Sequence, residues 1–269
     1  MSGMGANHMK QKETAACGLS LLFRKGERPD AAMIRALAAQ NDSFAISHDP
    51  ASRTGADEQI AVLSPLANAP LWVELLVDGL TLDLSGLSAG VAEDCPACAH
   101  RFDLSDELDA YGVEALLLKP GPHLSGGAGL TPVIRAMLGL ASELCTLDGI
   151  VAVVWHPARS WISPRYFASI TRNWLDGGVF PGLGLVGLGD SADGGMQSEG
   201  MSFFVGQEVR VEPELTEDRP GAARIAMRAI AYLAERGPLE AAEHIAGPEG
   251  RALRIEPSAN RRFVRVWGG

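Results

Sequence analysis

The chain has 269 residues, of which 46 % are hydrophobic and 21 % are charged, so it can form one large domain or two small ones. Its 33 acidic and 23 basic residues give a net charge of −10. Such a surface repels phosphates and anionic lipids, which excludes nucleic acid and membrane as expected partners. No apolar run reaches the roughly 20 residues needed to span a bilayer.

The first residues, 1–14, are polar and lack the apolar core of a secretory signal. We therefore expect a disordered N-terminus over 1–14 and a cytoplasmic protein. In that compartment the four cysteines are expected to be reduced thiols. The sequence does not predict the oligomeric state.

Residues 15–111 are predicted to form an N-terminal α+β lobe. Asp78-Gly79 separates two β-rich runs and is typical of a type I′ hairpin turn. The stretch 85–111 is irregular and acidic, and it is predicted to be a connector. The predicted elements are a strand over 15–23, a helix from Pro29 to near Asn41, a strand over 59–63, and hairpin strands over 71–77 and 80–84.

Residues 112–269 are predicted to form a second, C-terminal α+β lobe. Thr131-Pro132 and Ser163-Pro164 are expected to begin helices, with the hydroxyl as N-cap and proline at the first helical position. The fold class is therefore α+β: mixed β-sheets with about four covering helices, in two ferredoxin-like or split β-α-β lobes packed together. The other predicted elements are strands over 113–119, 150–155, 201–211, 253–256 and 263–267, a flexible loop over 190–199, and a helix from Arg219.

The C-terminal part of the chain carries a family likeness. The residues concerned are Phe203-Phe-Val-Gly-Gln-Glu-Val-Arg-Val211, the predicted helix 222–233 and the final hairpin. They resemble the C-terminal domain of bacterial proteins called domain of unknown function family 4261, which would occupy about 200–267 here. In that family a strand with a hydrophobic-Glu-hydrophobic pattern leads through an acidic loop to one helix and a final β pair.

Upstream, Val153-Val154-Trp155 and Ser160-Trp-Ile-Ser-Pro-Arg-Tyr-Phe167 are similar to the segment that precedes that domain. Pro181-Gly-Leu-Gly184 stands where an aromatic residue is more usual. The resemblance implies a bacterial, cytoplasmic protein with a mixed α+β fold, and it implies no catalytic residues.

Cys95-Pro-Ala-Cys98, with His100 close behind, has the local spacing of half a zinc site. A closed tetrahedral site needs four ligands, and the other cysteines, Cys17 and Cys145, fall in a predicted strand and helix. The spacing also occurs in redox motifs, but the acidic neighbours disfavour the thiolate that such chemistry needs. We expect no cofactor, and zinc at Cys95, Cys98 and His100 is the alternative.

Gly86-Leu-Ser-Ala-Gly90 fits the pattern Gly-x-Ser-x-Gly, in which Ser88 would be a nucleophile. That pattern works only on a tight turn from a strand into a helix. The following residues, 91–98, offer no apolar helical face and contain Pro96. The pattern therefore favours a bare turn.

A loop crowded with aromatic and charged residues follows the predicted strand that ends at Trp155. His156, Arg159 and Trp161 stand in it, and His123 lies in another loop, just before a helix N-terminus that can attract anions. An imidazole and a guanidinium form a site together with a carboxylate, but no carboxylate lies nearby in sequence. The four side chains are the candidate pocket, and tryptophans so placed more often complete a core.

No acid–base, nucleophile or metal constellation stands out in the sequence. The prediction is a non-catalytic, soluble protein that acts through contact with another protein. The alternatives are a hydrolase that uses Ser88 or the His156/Arg159 loop, and a protein with a small structural zinc site at the Cys95–Cys98 loop.

Overall fold

The computed structural model describes residues 17–50 and 71–269. The predicted disordered segment 1–14 and the predicted strand 59–63 lie outside the described residues. In chain order the elements are β1 (Leu19–Arg24), α1 (Ala31–Gln40), β2 (Ala45–His48), β3 (Leu71–Val77), β4 (Leu80–Leu87), β5 (His100–Phe102), β6 (Val113–Pro120), α2 (Thr131–Leu144), β7 (Ile150–Trp155), β8 (Ser160–Ile162), α3 (Pro164–Leu175), β9 (Gly187–Asp190), β10 (Met196–Glu199), β11 (Glu208–Val211), α4 (Arg219–Arg236), β12 (Glu243–Ala246), β13 (Ala252–Pro257) and β14 (Phe263–Gly268).

Single helical turns at Gly182–Leu185 and Ser202–Val205, and short 3₁₀ segments, complete the elements. Four helices of ten residues or more occur in the described ranges. Together with the two mixed sheets they confirm the predicted α+β class. Within those ranges no helix combines the length and the apolar character that crossing a bilayer requires.

The chain divides into two compact units. The first comprises Met1–Ala97, Asp103–His156 and Ile162–Arg172, and the second comprises Cys98–Phe102, Pro157–Trp161 and Asn173–Gly269. This division differs from the predicted boundary between 111 and 112. The reason is strand pairing: β6 lies between β4 and β1, so residues after 112 complete the first unit.

Six strands of the first unit lie side by side in the order β2-β3-β4-β6-β1-β7. Strand β1 runs antiparallel to both β6 and β7. The two outer strands of this trio are therefore parallel to each other, and α2 connects them, which is a split β-α-β arrangement. Five residues of β1 and nine of α2 are buried, so the sheet and this helix share the core.

Local sequence signals explain two element ends in the first unit. Asp78 and Gly79 both have positive φ, as the predicted type I′ turn requires. The Ser163 hydroxyl accepts a hydrogen bond from the Tyr166 N–H at 3.3 Å and caps α3. The predicted cap by Thr131 is wrong, because Leu130 is already the N-cap of α2 and its carbonyl accepts from the Ile134 N–H at 3.0 Å.

The second unit contains a six-stranded sheet in the order β12-β13-β14-β11-β10-β9. Strands β11 and β14 are parallel, and the other neighbours are antiparallel. Helix α4 buries an apolar stripe, which packs in one core with alternate residues of the strands. Alternation leaves the intervening residues, such as Glu208 and Arg210 of β11, outside that core. The core side chains of α4 are Ala222, Ile225, Ala226, Ala229, Ile230 and Leu233.

Two predictions for this unit are wrong. The expected loop over 190–199 is largely the β9–β10 hairpin. The expected long strand over 201–211 is interrupted by the helical turn Ser202–Val205, which ends at Gly206 with φ +75°. The physical cause is Glu208, whose carboxylate accepts the backbone N–H groups of 200, 201 and 202 and so satisfies the start of the turn.

Candidate functional site

A cleft of about 490 Å³ lies within the second unit. It brings together Arg159 of the predicted pocket and His100 of the predicted metal set. The carboxylate that the sequence lacked near these residues is Glu199, at the end of β10. The residues lining the cleft are Ala99, His100, Arg159, Gly189, Asp190, Ser191, Gln197, Ser198, Glu199 and Glu208.

Glu199 is the centre of this group. The Arg159 Nε and Nη2 atoms donate to its two carboxylate oxygens at 2.5 and 3.0 Å, and the His100 Nε2 lies 3.2 Å from the second oxygen. Such a bidentate pair is stronger than a single neutral hydrogen bond. Burial opposes ionisation of Glu199, but the hydrogen bonds from Arg159 and His100 outweigh it and hold the pKa of Glu199 below its usual value. The same pairing raises the pKa of Arg159.

The backbone of Arg159 also helps to form the site. Its φ is +49°, in the left-handed region that only glycine adopts freely. The Arg159 carbonyl accepts the N–H groups of Ala99 at 2.9 Å and His100 at 3.3 Å. Strain of this kind costs about 1–3 kcal/mol and persists where the surroundings over-determine it. Arg159 therefore holds both the backbone beside His100 and the carboxylate opposite it.

A glycine makes room for the imidazole. Gly187 stands opposite Glu199 in the β9–β10 register, and a Cβ built on it would lie 2.1 Å from the His100 Cδ2 atom. The His100 ring thus occupies the space that a side chain at position 187 would need. Two residues further along the same strand, Gly189 has no neighbouring atom within 4 Å of the corresponding position, so the cleft is open there.

The cleft has an acidic lining along a sheet edge. Strand β9 is the last strand of its sheet. Three carboxylates, on Asp190, Glu199 and Glu208, line the cleft against one guanidinium, on Arg159. Asp190 is 73 % exposed and pairs with Arg219. The Glu208 carboxylate is already used by the Ser198 hydroxyl and by backbone N–H groups. Arg159 and Arg219 offset two of the three carboxylates, so the cleft keeps a net negative charge, which favours a cationic or hydrogen-bond-donating ligand.

The other predicted pocket residues are distributed over both units. His156 and His123 belong to the first unit, and Trp161 belongs to the second. The His156 Nε2 lies 2.9 Å from the Ser20 hydroxyl, but Ser20 is only 1 % exposed, so a substrate cannot reach its oxygen. The His123 Nε2 lies 2.8 Å from the Thr81 hydroxyl. Trp161 is buried, with the guanidinium of Arg101 at 6.0 Å from its ring.

Two of the predicted zinc ligands, Cys98 and His100, make other contacts in this structure. The His100 imidazole faces Glu199, and the exposed Cys98 thiol lies 3.5 Å from the His100 carbonyl oxygen. All four cysteines are thiols. Over residues 17–50 and 71–269, no three His, Cys, Asp or Glu side chains are grouped as a metal ion would need. Zinc at Cys95, Cys98 and His100 stays a prediction.

Ser88 follows strand β4 directly, and its N–H donates to the Pro29 carbonyl at 3.0 Å. The residues after it, 89–99, contain turns and irregular chain and no helix. The strand-to-helix turn of a nucleophile elbow is therefore not formed in this stretch. The buried guanidinium of Arg28 fixes the loop by donating to the carbonyls of Gly86 and Gly90.

Sequence reasoning missed Glu199, Asp190 and Glu208, which give the cleft its charge. A signal was present, since Asp193-Gly194 is a hairpin-turn dipeptide. It would have placed Met196-Gln-Ser-Glu199 in a strand. The pairing of Glu199 with Arg159, across 40 positions, has no local signal.

No family model, curated protein or solved structure matches this chain. The resemblance of 200–267 to the domain of unknown function family 4261 therefore stays a prediction.

Proposed function

We propose that this protein is a non-catalytic binding protein that acts through contact with another protein. We further propose that the acidic cleft of the second unit receives an extended basic segment of that partner. The observation that carries the proposal is the coincidence of an edge strand, open space above Gly189 and three lining carboxylates.

The edge position of β9 supports pairing with an extended chain. An edge strand presents backbone N–H and C=O groups that a further strand can use. Among the described segments, only β10 pairs with the backbone of Gly187–Asp190. Gly189 adds no side chain to its face of the sheet, so that face of the cleft has room for a side chain of the incoming strand.

The charges of the cleft support a basic partner. Asp190 is largely exposed, and Glu199 lies at the end of the neighbouring strand. Asp190 and Glu199 lie on opposite faces of the β9–β10 pair, so lysine or arginine side chains at alternate positions of an added strand would face one of these two carboxylates. The net charge of −10 would also steer a basic partner towards the protein.

The test uses a fluorescein-labelled heptapeptide in which lysine and threonine alternate, titrated with the full chain by fluorescence anisotropy. We expect the lysine peptide to bind and its glutamate counterpart not to bind. Asp190→Asn should weaken binding about two- to fivefold, since an exposed ion pair contributes up to about 1 kcal/mol. Asp148→Asn, an exposed carboxylate of the first unit, is the matched control.

Gly189→Val fills the open part of the cleft, which a side chain of the bound peptide would otherwise occupy, and should weaken binding. A lysine peptide with N-methylated backbone amides should also fail, because it cannot pair with a strand edge. Equal binding of the lysine and glutamate peptides, or unchanged binding by the Gly189→Val variant, would overturn the proposal.

A hydrolase-type function is the second candidate. The observation that favours it is the imidazole of His100 held by a carboxylate in an open cleft, which is the arrangement of an oriented general base. If this function is correct, the protein hydrolyses an activated ester such as p-nitrophenyl acetate. His100→Gln should lose this activity, and Asp148→Asn should keep it. Equal turnover by wild type and His100→Gln removes His100 from that role.

We infer that the protein works in a bacterial cytoplasm and that residues 200–267 are related to the family they resemble. The four thiols support a reducing compartment, and helix α4 followed by the β13–β14 pair fits the layout of that family. Recovery of the native protein in a periplasmic fraction, with its cysteines oxidised, would contradict the location.

A further inference from the structure

A second depression, a groove of about 740 Å³, lies within the first unit between the end of α2 and the start of α3. Apolar side chains, including Ile150 and Ala168, form part of its lining. Arg165 and Arg172 add two exposed guanidinium groups. The volume falls within the range of about 300–1,000 Å³ that small-molecule sites occupy.

A buried hydroxyl in the groove has no partner. Ser142 lines the groove and is 1 % exposed, and its Oγ atom makes no hydrogen bond. A serine inside a helix usually turns its hydroxyl to solvent or to the carbonyl four residues earlier. Because this oxygen has no exposed surface, the hydroxyl belongs to the packing beneath the groove and does not contact a ligand in it.

The two arginines of the groove are poorly compensated. Arg165 has no acidic partner among the described residues. Arg172 is 51 % exposed, lies 3.6 Å from the nearest Glu143 oxygen, and donates to the Ser142 carbonyl at 3.5 Å. In a chain of net charge −10, this pair forms a local positive site that attracts an anion.

The thiol in the groove is unsuited to reaction. Burial raises the pKa of Cys145 to about 12, so its thiol stays protonated and neutral at physiological pH and behaves as a small apolar group. The groove is thus a place for binding by an apolar surface and a positive end.

We propose that this groove binds a small amphipathic carboxylate, with its carboxylate at Arg165 and Arg172 and its alkyl chain over Ile150 and Ala168. This site is independent of the cleft in the second unit, and it stands whether or not that cleft binds a peptide.

Isothermal titration calorimetry on the full chain tests the proposal, with decanoate, decanol and decyltrimethylammonium as the probes, all below their aggregation limits. We expect decanoate to bind with one-to-one stoichiometry and at least about tenfold more tightly than the other two, since only a carboxylate makes charge-assisted hydrogen bonds with guanidinium groups. Equal affinity for decanoate and decanol, or no binding of decanoate, would overturn the proposal.

Variants then locate the site. Arg165→Gln and Arg172→Gln should each weaken decanoate binding several-fold and leave decanol unaffected. Arg251→Gln, which removes an exposed guanidinium of the second unit, is the matched control and should bind as wild type. Decanoate affinity that is unchanged when both groove arginines are replaced would place the ligand elsewhere and refute the assignment.

A further measurement does not depend on the arginines. Ser169 is exposed and lines the groove, so Ser169→Trp should block the site without disturbing the core. Decanoate that binds Ser169→Trp as tightly as it binds wild type contradicts a ligand in this groove.

Discussion

The side-chain amide of Gln207 forms two hydrogen bonds with the backbone of Leu239, as the backbone of a neighbouring strand would. Its Oε1 accepts the Leu239 N–H at 2.7 Å, and its Nε2 donates to the Leu239 carbonyl at 3.1 Å. Gln207 and Leu239 are 4 % and 2 % exposed, so water cannot replace either bond. The amide therefore joins the start of β11 to the chain that follows α4.

Replacing Gln207 by alanine should be costly. Gln207→Ala leaves the Leu239 N–H and C=O buried without partners, at about 1–3 kcal/mol for each group. We expect the free energy of unfolding, measured by urea denaturation, to fall by about 2–4 kcal/mol. Gln40→Ala, at the exposed end of α1, should change it by less than about 0.5 kcal/mol. Similar losses in both variants would refute the role of the Gln207 amide.

The carboxylate of Asp83 lies in an environment that disfavours its charge. Its Oδ1 is buried without a hydrogen bond. Burial raises the pKa of Asp83; nearby Lys119 opposes that effect and Glu74 adds to it. Since the carboxyl ionises more readily in the unfolded chain, ionisation destabilises the fold as pH rises from the unfolded pKa through the folded one.

Removal of the Asp83 charge should therefore stabilise the fold at neutral pH. We expect Asp83→Asn to be more stable relative to wild type at pH 7 than at pH 3, where both side chains are neutral. Asp78→Asn removes an equal charge from the exposed turn between β3 and β4, and it should show no comparable gain. Urea denaturation at the two pH values gives the comparison, and a relative stability of Asp83→Asn that does not change with pH contradicts it.

At the scale of elements, strand β9 has two glycines with different roles. A methyl group on Gly187 would collide with the His100 ring, whereas one on Gly189 meets nothing within 4 Å. Gly187→Ala should therefore displace the imidazole, break its hydrogen bond to Glu199 and lower the melting temperature. Gly189→Ala, in the same strand, should keep both the His100–Glu199 hydrogen bond and the wild-type melting temperature.

Nitrogen chemical shifts of the His100 ring report on that hydrogen bond. They should move in Gly187→Ala towards the values of a Glu199→Gln variant and stay unchanged in Gly189→Ala. Identical ring shifts in wild type and Gly187→Ala would mean that the close approach does not position His100.

Element prediction from sequence succeeded where the signal was local. Asp78-Gly79 encodes its turn through positive φ at both positions. Ser163 caps α3 by accepting a hydrogen bond from the N–H of Tyr166, three residues later. It failed over 201–211, where the apolar pattern favoured a strand but the Glu208 carboxylate satisfies a helical turn that precedes it. A cap supplied by a residue that follows the turn does not appear in hydrophobic periodicity.

At the scale of the whole molecule, the fold class could be predicted and the site only in part. Periodicity gave the α+β class because core-facing residues repeat along each element. Arg159 and His100 were recognised by residue type, but in separate hypotheses. Their meeting at Glu199 depends on contacts across 40 and 99 positions, and one sequence contains no signal for such pairs.

Each unit contains ion pairs between distant segments, among them Arg28–Glu114 in the first and Arg159–Glu199 in the second. Hydrogen bonds from Arg28 lower the pKa of Glu114, and the Glu199 pKa is lowered as well. A lowered folded pKa gives stability that is present above the unfolded value of about 4.3 and is lost as pH falls through the folded value.

The double variant Glu114→Gln/Glu199→Gln should therefore be less stable than wild type at pH 7 and should lose less stability on acidification. The difference between the two proteins should shrink as pH falls through the folded pKa values, because the wild-type carboxyls then become protonated and resemble the amides. Urea denaturation at pH 7, 5 and 3 measures this. Glu217→Gln/Glu240→Gln, which removes the same charge from exposed positions of the second unit, should follow the wild-type pH dependence. A constant difference between wild type and Glu114→Gln/Glu199→Gln at all three pH values would show that the two ion pairs do not control acid stability.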